Sequence, residues 1–294
     1  MSRYLDPKSD VVFKKIFGSH PHLLKSFLNA VLPLPEDRLI ERLEYLTPEQ
    51  VPVLPAMKYT IVDVKCVDTQ GRTFIVEMQV QWVSAFMQRV LFNTSAAYVH
   101  QLSKGEAFSN LSPVYGLALL AHEFMDDSEW FHHYKMTNVK DSKKALEDIQ
   151  LILIELPKFK PTTLKNKKLT VLWLRFLSEI GEQTKTVSAD LLNIPEIKEA
   201  ITLAEESAYT RGELVAYQTY WDAVSTEKTL FEGKYAEGRA EGKAEGKAEG
   251  KAEGRMDALV EVIKKQLKRG VSIEVITEDT GLTVEAVRAI QATV

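Results

Sequence analysis

Hydrophobic positions near the start of the chain recur with the spacing of an amphipathic helix. Phe13 and Phe17 lie four residues apart after Ser9, a favourable helix N-cap, and the same spacing resumes at residues 22–31. Residues 84–104 form a long segment without proline that a glycine closes. The pattern therefore predicts helices at the beginning of the chain and again after residue 84.

Short segments rich in apolar and β-branched residues predict strands between and after these helices. They are residues 39–46, 58–67, 73–80, 114–121 and 149–156. The resulting order is helix, three strands, helix and strand, with one further strand. This order is typical of an α/β protein.

The pattern changes after residue 160. Residues 161–235 are mainly helical, residues 236–255 repeat an Ala-Glu-Gly-Lys unit, and residues 256–294 contain short helical stretches separated by glycines. We therefore expect a core at 1–160, a helical extension, the repeat, and a small tail that resembles a helix-turn-helix.

The repeat has a period of four residues, so on a helix its acidic and basic side chains form two slowly winding stripes. Like charges four residues apart and a glycine in every unit both disfavour an isolated helix. We expect such a helix to form against a second copy with complementary stripes, which makes the protein a homo-oligomer. The alternative is a flexible linker, since charged glycine-rich sequence also behaves in that way.

Glycines and capping residues divide the tail into short helices. Gly270 and Gly281 end two of them, and Ser272 and Thr283 can cap the helices that follow. The last helix contains one acid and one arginine, whose charges cancel. The tail is therefore either a packing module or a module that binds DNA in a sequence-specific way.

Composition adds limits on location and binding. The chain of 294 residues is 45% hydrophobic, which is enough for a large core. A single cysteine, Cys66, together with a polar N-terminus and no apolar run of membrane length, favours a cytoplasmic protein without membrane contact. The net charge of -4 argues against broad electrostatic attraction to nucleic acid, so phosphate binding requires a local patch or a metal ion.

Polar residues occupy one face of each of two consecutive predicted strands. Strand side chains alternate, so Asp63 and Lys65 point away from Val64, and three polar residues share one face of the next strand. These three are Glu77, Gln79 and Gln81. Acid or amide on one side and apolar residues on the other predict a polar site next to a core.

A glycine sets the expected pairing of these strands. If residues 69–71 form a three-residue hairpin loop with Gly71 in the left-handed region, Asp63 lies opposite Glu77. Their Cβ atoms are then about 4.5–5.5 Å apart, and carboxylates this close repel unless a proton or a cation lies between them. A hard divalent ion such as Mg²⁺ suits the pair. The alternative is an exposed hairpin face with ordinary solvated charges.

The Asp63 and Glu77-Met78-Gln79 arrangement, in this order of helices and strands, resembles the PD-(D/E)XK nucleases. Further residues are similar to the recombination-promoting nuclease and transposase family of that superfamily. They are Asp6-Pro7-Lys8-Ser9-Asp10, then Phe13-Lys14-Lys15-Ile16-Phe17-Gly18, and Arg89, Tyr98, Gln101 and Gly105.

The resemblance implies a three-layer, restriction-endonuclease-like α/β core with the order helix-strand-strand-strand-helix-strand and a mainly helical C-terminal extension. It also implies that Asp63 and Glu77 hold Mg²⁺ or Mn²⁺. Gln79 stands where the superfamily has a lysine, and a glutamine positions water but supplies no charge. Lys65 and Asp10 are further catalytic candidates, with an ordinary surface lysine and an ordinary helix N-terminal acid as the alternatives.

Basic and amide side chains supply candidate phosphate contacts. We expect Arg89 and Gln81 to contact nucleic acid beside the acid pair, and a basic run without acids to follow the phosphate backbone. This run contains Lys158, Lys160, Lys165, Lys167 and Lys168. The alternative for the run is a charged loop before an amphipathic helix.

Together these expectations predict a metal-dependent nuclease that hydrolyses phosphodiester bonds, with DNA as the expected substrate and partner. Its expected role is recombination, transposition or defence. The rival from another class is a nucleic-acid-binding or assembly protein whose nuclease site has decayed, which Gln79 and the net charge favour.

Overall fold

The computed structural model describes residues 3–50, 60–81, 85–161 and 168–293 of the chain. The chain divides into two units, Met1–Thr226 and Glu227–Val294. The first is a mixed α/β unit around a six-stranded sheet, and the second consists of helices.

Most strands of the first unit belong to one sheet, in the order β1-β4-β5-β6-β8-β7, while β2 and β3 pair separately. Strands β5, β6 and β8 are parallel to one another, and the other neighbours in the sheet are antiparallel. The strands are β1 (Leu43–Tyr45), β2 (Glu49–Gln50), β3 (Thr60–Ile61), β4 (Val64–Asp68), β5 (Thr73–Gln79), β6 (Val114–Leu120), β7 (Phe131–Asn138) and β8 (Asp141–Glu155).

Helices cover both faces of this sheet. Helix α3 packs against β6 and β8 on one face, while α1, α2, α4 and α6 share the core on the other face. The predicted three-layer core and its order of helices and strands are confirmed. The helices are α1 (Asp10–Phe17), α2 (Pro21–Val31), α3 (Phe86–Val99), α4 (Lys168–Glu179), α5 (Ala189–Leu192), α6 (Pro195–Leu203) and α7 (Arg211–Lys268).

Helix α1 shows how the sequence directs this packing. The Ser9 hydroxyl caps the helix by accepting the amide of Val12 at 3.4 Å, and Phe13 and Phe17 are fully buried one turn apart. The Phe17 ring lies 5.6 Å from the ring of Trp173 on α4. Burying such side chains stabilises the layer by roughly 1.5–3 kcal/mol each.

Strand β6 has a close contact with α3. A Cβ atom at Gly116 would lie 2.2 Å from the Thr94 hydroxyl oxygen and 3.2 Å from a Leu151 methyl carbon. Glycine at this position therefore allows α3 to lie nearer to the sheet than any larger residue permits.

Two parts of the sheet differ from the predicted strands. The segment predicted at 58–67 is divided into β3 and β4, and residues 58 and 59 lie outside the described residues. Strand β7 was not predicted, and β8 begins at Asp141 instead of residue 149. The outer part of this hairpin is exposed and mostly polar, so it lacks the apolar alternation from which strands are predicted.

The second unit contains the end of α7 followed by α8 (Ile273–Thr280) and α9 (Val284–Gln291). Gly270 and Gly281 have φ angles of 79° and 69°, which end the preceding helices as predicted. The small core of this unit consists of Ile263, Ile276 and Val287.

The repeat lies within α7, where its described side chains are exposed. No helix in the described part of the chain is both long and apolar enough to cross a membrane.

Candidate active site

The hairpin of β4 and β5 has the predicted register. Gly71 adopts a φ angle of 79° in the loop between the strands. Val64 pairs with Val76, and continuing this register by one residue places Asp63 opposite Glu77. The loop and the alternation of side chains thus bring the two acids together at the open end of the hairpin, away from the loop.

Asp63 lies just before β4 and is half-buried. Its Oδ2 atom accepts the backbone amide of Met78 at 2.7 Å. Burial raises the pKa of the Asp63 carboxyl to about 6; the Met78 amide and the charge of Lys14 oppose this, whereas the negative charges of Asp10 and Glu77 add to it. The carboxylate therefore lies among acids whose combined charge favours a cation.

Glu77 is 7% exposed, and two residues of α3 contact its carboxylate. Its Oε1 atom accepts the Asn93 amide at 2.7 Å, and its Oε2 atom lies 3.6 Å from the Arg89 guanidinium. Burial raises the pKa of the Glu77 carboxyl, although the Asn93 hydrogen bond and the Arg89 charge lower it.

Asn93 is a site residue that the sequence analysis missed. It is 1% exposed, and it lies on the buried face of α3 with Phe86, Val90 and Ala97. A buried amide among apolar positions at helical spacing is a signal that the sequence contains. Its hydrogen bond fixes one oxygen of Glu77.

Gln79 and Arg89 form a second contact between β5 and α3. The Arg89 guanidinium donates to Gln79 Oε1, and Gln79 Nε2 donates to the Gln81 carbonyl at 2.6 Å. The Gln81 side chain donates in turn to the carbonyl of Val224 on α7. The structure thus brings Gln79 and Arg89 beside Glu77, while the amide of Gln81 is engaged by a helix.

Asp10 and Lys14 approach Asp63 from α1. They form an ion pair of 2.7 Å on the first turns of the helix, and both are about half exposed. Each is close enough for its charge to change the pKa of Asp63. Asp10 thus lies near Asp63, and a catalytic role for it stays a prediction.

Tyr220 on α7 is a further residue beside the acids that the sequence analysis did not identify. Burial raises the pKa of its hydroxyl, and the charges of Asp10, Asp63 and Asp6 raise it further. One turn earlier, the Tyr217 hydroxyl accepts the Asp6 amide at 3.1 Å. No local pattern in the sequence marks Tyr220, because its position depends on how α7 packs.

Lys65 lies two residues after Asp63 in β4 and is half-buried. Burial lowers the pKa of its ammonium group. Among the residues that the structure describes, Lys65 forms no ion pair within 4.0 Å, so its electrostatic role stays a prediction.

Lys158 of the basic run is engaged by residues outside the acid pair. Lys158 is 6% exposed, and its ammonium lies 3.1 Å from Glu155 and donates to the carbonyl of Met125 at 2.6 Å. Lys160 is exposed, Lys165 and Lys167 lie outside the described residues, and Lys168 begins α4. Lys158 thus has structural partners, and a phosphate-binding role for the run stays a prediction.

A separate cluster at the end of β8 contains Asp127, His132 and Glu155, whose ligand atoms lie within 4.8 Å of one another. Glu155 is fully buried and accepts hydrogen bonds from His132 at 2.9 Å, from the Phe124 amide at 2.5 Å and from Lys158. The lysine ammonium already balances the buried charge here. We therefore interpret this cluster as a structural network.

The acid pair offers a donor set that fits a hard divalent cation. Asp63 and Glu77 supply carboxylate oxygens, the ligands that Mg²⁺ and Mn²⁺ prefer. Oδ1 of Asp63 has no hydrogen-bond partner among the described residues, and the pKa of each carboxyl is raised by burial. Among those residues, Asp10, Asp63 and Glu77 do not form a three-ligand group as tight as that around Glu155.

A family model described as PD-(D/E)XK nuclease family transposase matches residues 7–232, which is more than half of the chain. No curated protein and no solved structure matches it.

Proposed function

The chain belongs to the PD-(D/E)XK nuclease family transposases, and from this membership we propose that it hydrolyses phosphodiester bonds in DNA with a divalent cation at Asp63 and Glu77. The family itself supports a nuclease or transposase-like role. The DNA substrate, the Mg²⁺ or Mn²⁺ ion and the site residues are our proposal.

One observation carries the proposal. The half-buried Asp63 and the buried Glu77 face each other at the open end of the β4–β5 hairpin, where burial disfavours their charged forms. Such an arrangement costs stability unless a cation compensates it. Functional sites are where such costs are commonly retained.

When bound, the ion lowers the pKa of a water molecule and polarises the phosphoryl group. The chain's own residues orient its ligands: the Met78 amide holds one oxygen of Asp63, and Asn93 holds one oxygen of Glu77. Arg89 is 40% exposed beside Glu77 and can donate to a phosphate oxygen.

DNA is the favoured substrate because the family description names transposases, which act on DNA. We propose a role in recombination, transposition or defence, and a cytoplasmic location in which the buried Cys66 stays reduced.

Cleavage assays test the proposal. We expect purified protein to cut single-stranded or duplex DNA with Mg²⁺ or Mn²⁺, and to stop when the ion is chelated. Asp63→Ala and Glu77→Ala should each abolish cutting without lowering the thermal unfolding midpoint, because each removes a carboxylate whose burial is costly. Parallel assays with RNA test whether DNA is the preferred substrate.

Glu147→Ala is the matched control, since this exposed acid on β8 forms an ion pair with Lys135 outside the site. Normal cutting by both site variants would mean that the active site lies elsewhere. Wild-type protein that binds DNA but cuts none of the substrates would favour the decayed, binding-only alternative.

A further inference from the structure

The site has two acids but no lysine at position 79 to stabilise negative charge on the phosphate. We propose that Arg89 supplies this charge from α3 as a catalytic residue, and that Gln79 is the positioning residue that holds its guanidinium in place. This inference rests on the proposed nuclease function.

Three contacts fix the Arg89 guanidinium at the site. It donates to Gln79 Oε1, it lies 3.6 Å from Glu77 Oε2, and its central carbon lies 5.3 Å from the centre of the Phe86 ring. The side chain nevertheless remains 40% exposed. Because a guanidinium has five N–H donors in a planar fork, these contacts leave donors for a phosphate that approaches from solvent.

The orientation of Gln79 supports its positioning role. Its Nε2 atom donates to the Gln81 carbonyl at 2.6 Å, so its Oε1 atom is directed to Arg89. A neutral amide oxygen is too weakly basic to take a proton from an attacking water, and here its hydrogen bond orients Arg89. The glutamine at this position therefore orients the positively charged Arg89 of the neighbouring helix.

The other cations near the acids are less suited to this role. Lys14 forms an ion pair of 2.7 Å with Asp10, and Lys65 forms no ion pair with Glu77 within 4.0 Å, unlike Arg89. Lys15 is directed elsewhere, with its ammonium 3.0 Å from Glu213 and 4.0 Å from the centre of the Tyr209 ring. Among the residues that the structure describes, Arg89 is the cation that contacts both Glu77 and Gln79.

Relocating the charge tests the inference in the full-length, Mg²⁺-loaded protein. Arg89→Ala should lower kcat by about 100-fold, the usual effect of removing a group that stabilises transition-state charge. In the same variant, Gln79→Lys places an ammonium where the superfamily has one, and it should restore at least about a tenth of the wild-type kcat. Added guanidinium ion should also raise the rate of Arg89→Ala.

The single variant Gln79→Ala tests positioning. We expect kcat to fall by about tenfold with little change in KM, since Arg89 remains present but is less well oriented. Arg175→Ala is the control, because this arginine on α4 forms an ion pair of 2.6 Å with Glu179. It should neither lose kcat nor respond to guanidinium.

The outcomes separate this inference from the function on which it rests. Wild-type protein that does not cut any substrate overturns both. If wild type cuts and Asp63→Ala does not, an unchanged kcat in Arg89→Ala overturns the role of Arg89 alone. That role is also overturned if neither Gln79→Lys nor guanidinium restores activity to Arg89→Ala.

Discussion

Asp63 loses part of its hydration in the folded protein without gaining a full ion pair. Its pKa of about 6 means that a proton competes with a metal ion for this carboxylate in mildly acidic solution. Cation binding should therefore weaken as the pH falls through about 6.

Asp63→Asn should stabilise the metal-free protein. The folded-state pKa is raised from 3.8 to about 6, so the wild type carries the cost of a buried charge above pH 6 and none below about pH 4. We expect the variant to be more stable by an amount on the order of 1–3 kcal/mol at pH 7.5, and this gain should vanish near pH 4.

Urea unfolding in the presence of a chelator, repeated from pH 4 to pH 8, measures this difference. The exposed Glu44 on β1 provides a control variant, Glu44→Gln, for which no such trend is expected. A gain that is constant across the pH range would contradict the assigned environment of Asp63.

At the scale of residues, some contacts are easier to predict from the sequence than others. Contacts between two residues of one hairpin are predictable, whereas contacts that depend on how separate elements pack are not. Asp63 and Glu77 were placed opposite each other from Gly71 and the alternation of side chains, and the register agrees. The contact between Arg89 and Gln79 depends on how α3 docks on the sheet, which local patterns do not specify. The same reason explains why Tyr220 was missed.

At the scale of elements, the buried core is predictable and the exposed hairpin is not. Strand β6 is buried along its whole length, so its continuous apolar run identifies it. The outer halves of β7 and β8 are exposed and obtain their hydrogen bonds from each other. Their side chains are under no requirement to alternate, and the strand signal in the sequence is therefore weak there.

The start of α7 is defined by a capping box. Glu213 accepts the Thr210 amide at 2.7 Å, and the Thr210 hydroxyl accepts the Glu213 amide at 3.3 Å. The same carboxylate contacts Lys15 at 3.0 Å. These hydrogen bonds, the Thr210 amide first, lower the pKa of Glu213 to about 2.

Glu213→Gln should therefore destabilise the first unit in a pH-dependent way. Because the folded-state pKa is depressed from 4.5, the contribution is present above pH 4.5 and is lost as the pH falls towards 2. We expect a loss of about 1 kcal/mol at pH 7, since the 38% exposed carboxylate is screened by solvent, and a smaller loss at pH 3.5.

Chemical denaturation at the two pH values measures the effect. Thr210→Ala, which removes the partner hydroxyl, should show a comparable loss at pH 7. A loss for Glu213→Gln that is the same at both pH values would show that the negative charge is not what the cap requires.

At the scale of the whole molecule, the described side chains of the repeat are exposed. We propose that residues 236–255 associate with another copy, and that 1–160, 161–235 and 256–294 act as core, extension and tail. An added Cβ at the five repeat glycines would meet no atom within 4 Å, so nothing in the described chain packs on them. Alanine and glycine stripes allow a second backbone to approach closely, and oppositely charged stripes can then face each other.

Analytical ultracentrifugation of the intact chain and of a chain ending at Glu232 tests this association. The intact chain should sediment as an oligomer at micromolar concentration. Its association should weaken at high salt, because exposed ion pairs contribute only about 0–1 kcal/mol each and are screened. The shortened chain should be monomeric. Two monomeric species at low salt would identify the repeat as a linker.

The contact between Gly116 and Thr94 has a consequence for how this protein evolves. Thr94 is next to Asn93 on α3, the helix that also carries Arg89, so we expect a side chain at position 116 to push on the part of α3 that holds Glu77. If the proposed cleavage is under selection, that selection should also act on this glycine in the middle of β6. A homologue with a larger residue at this position should therefore keep the acid pair in its sequence but lose the contacts from α3 that hold Glu77.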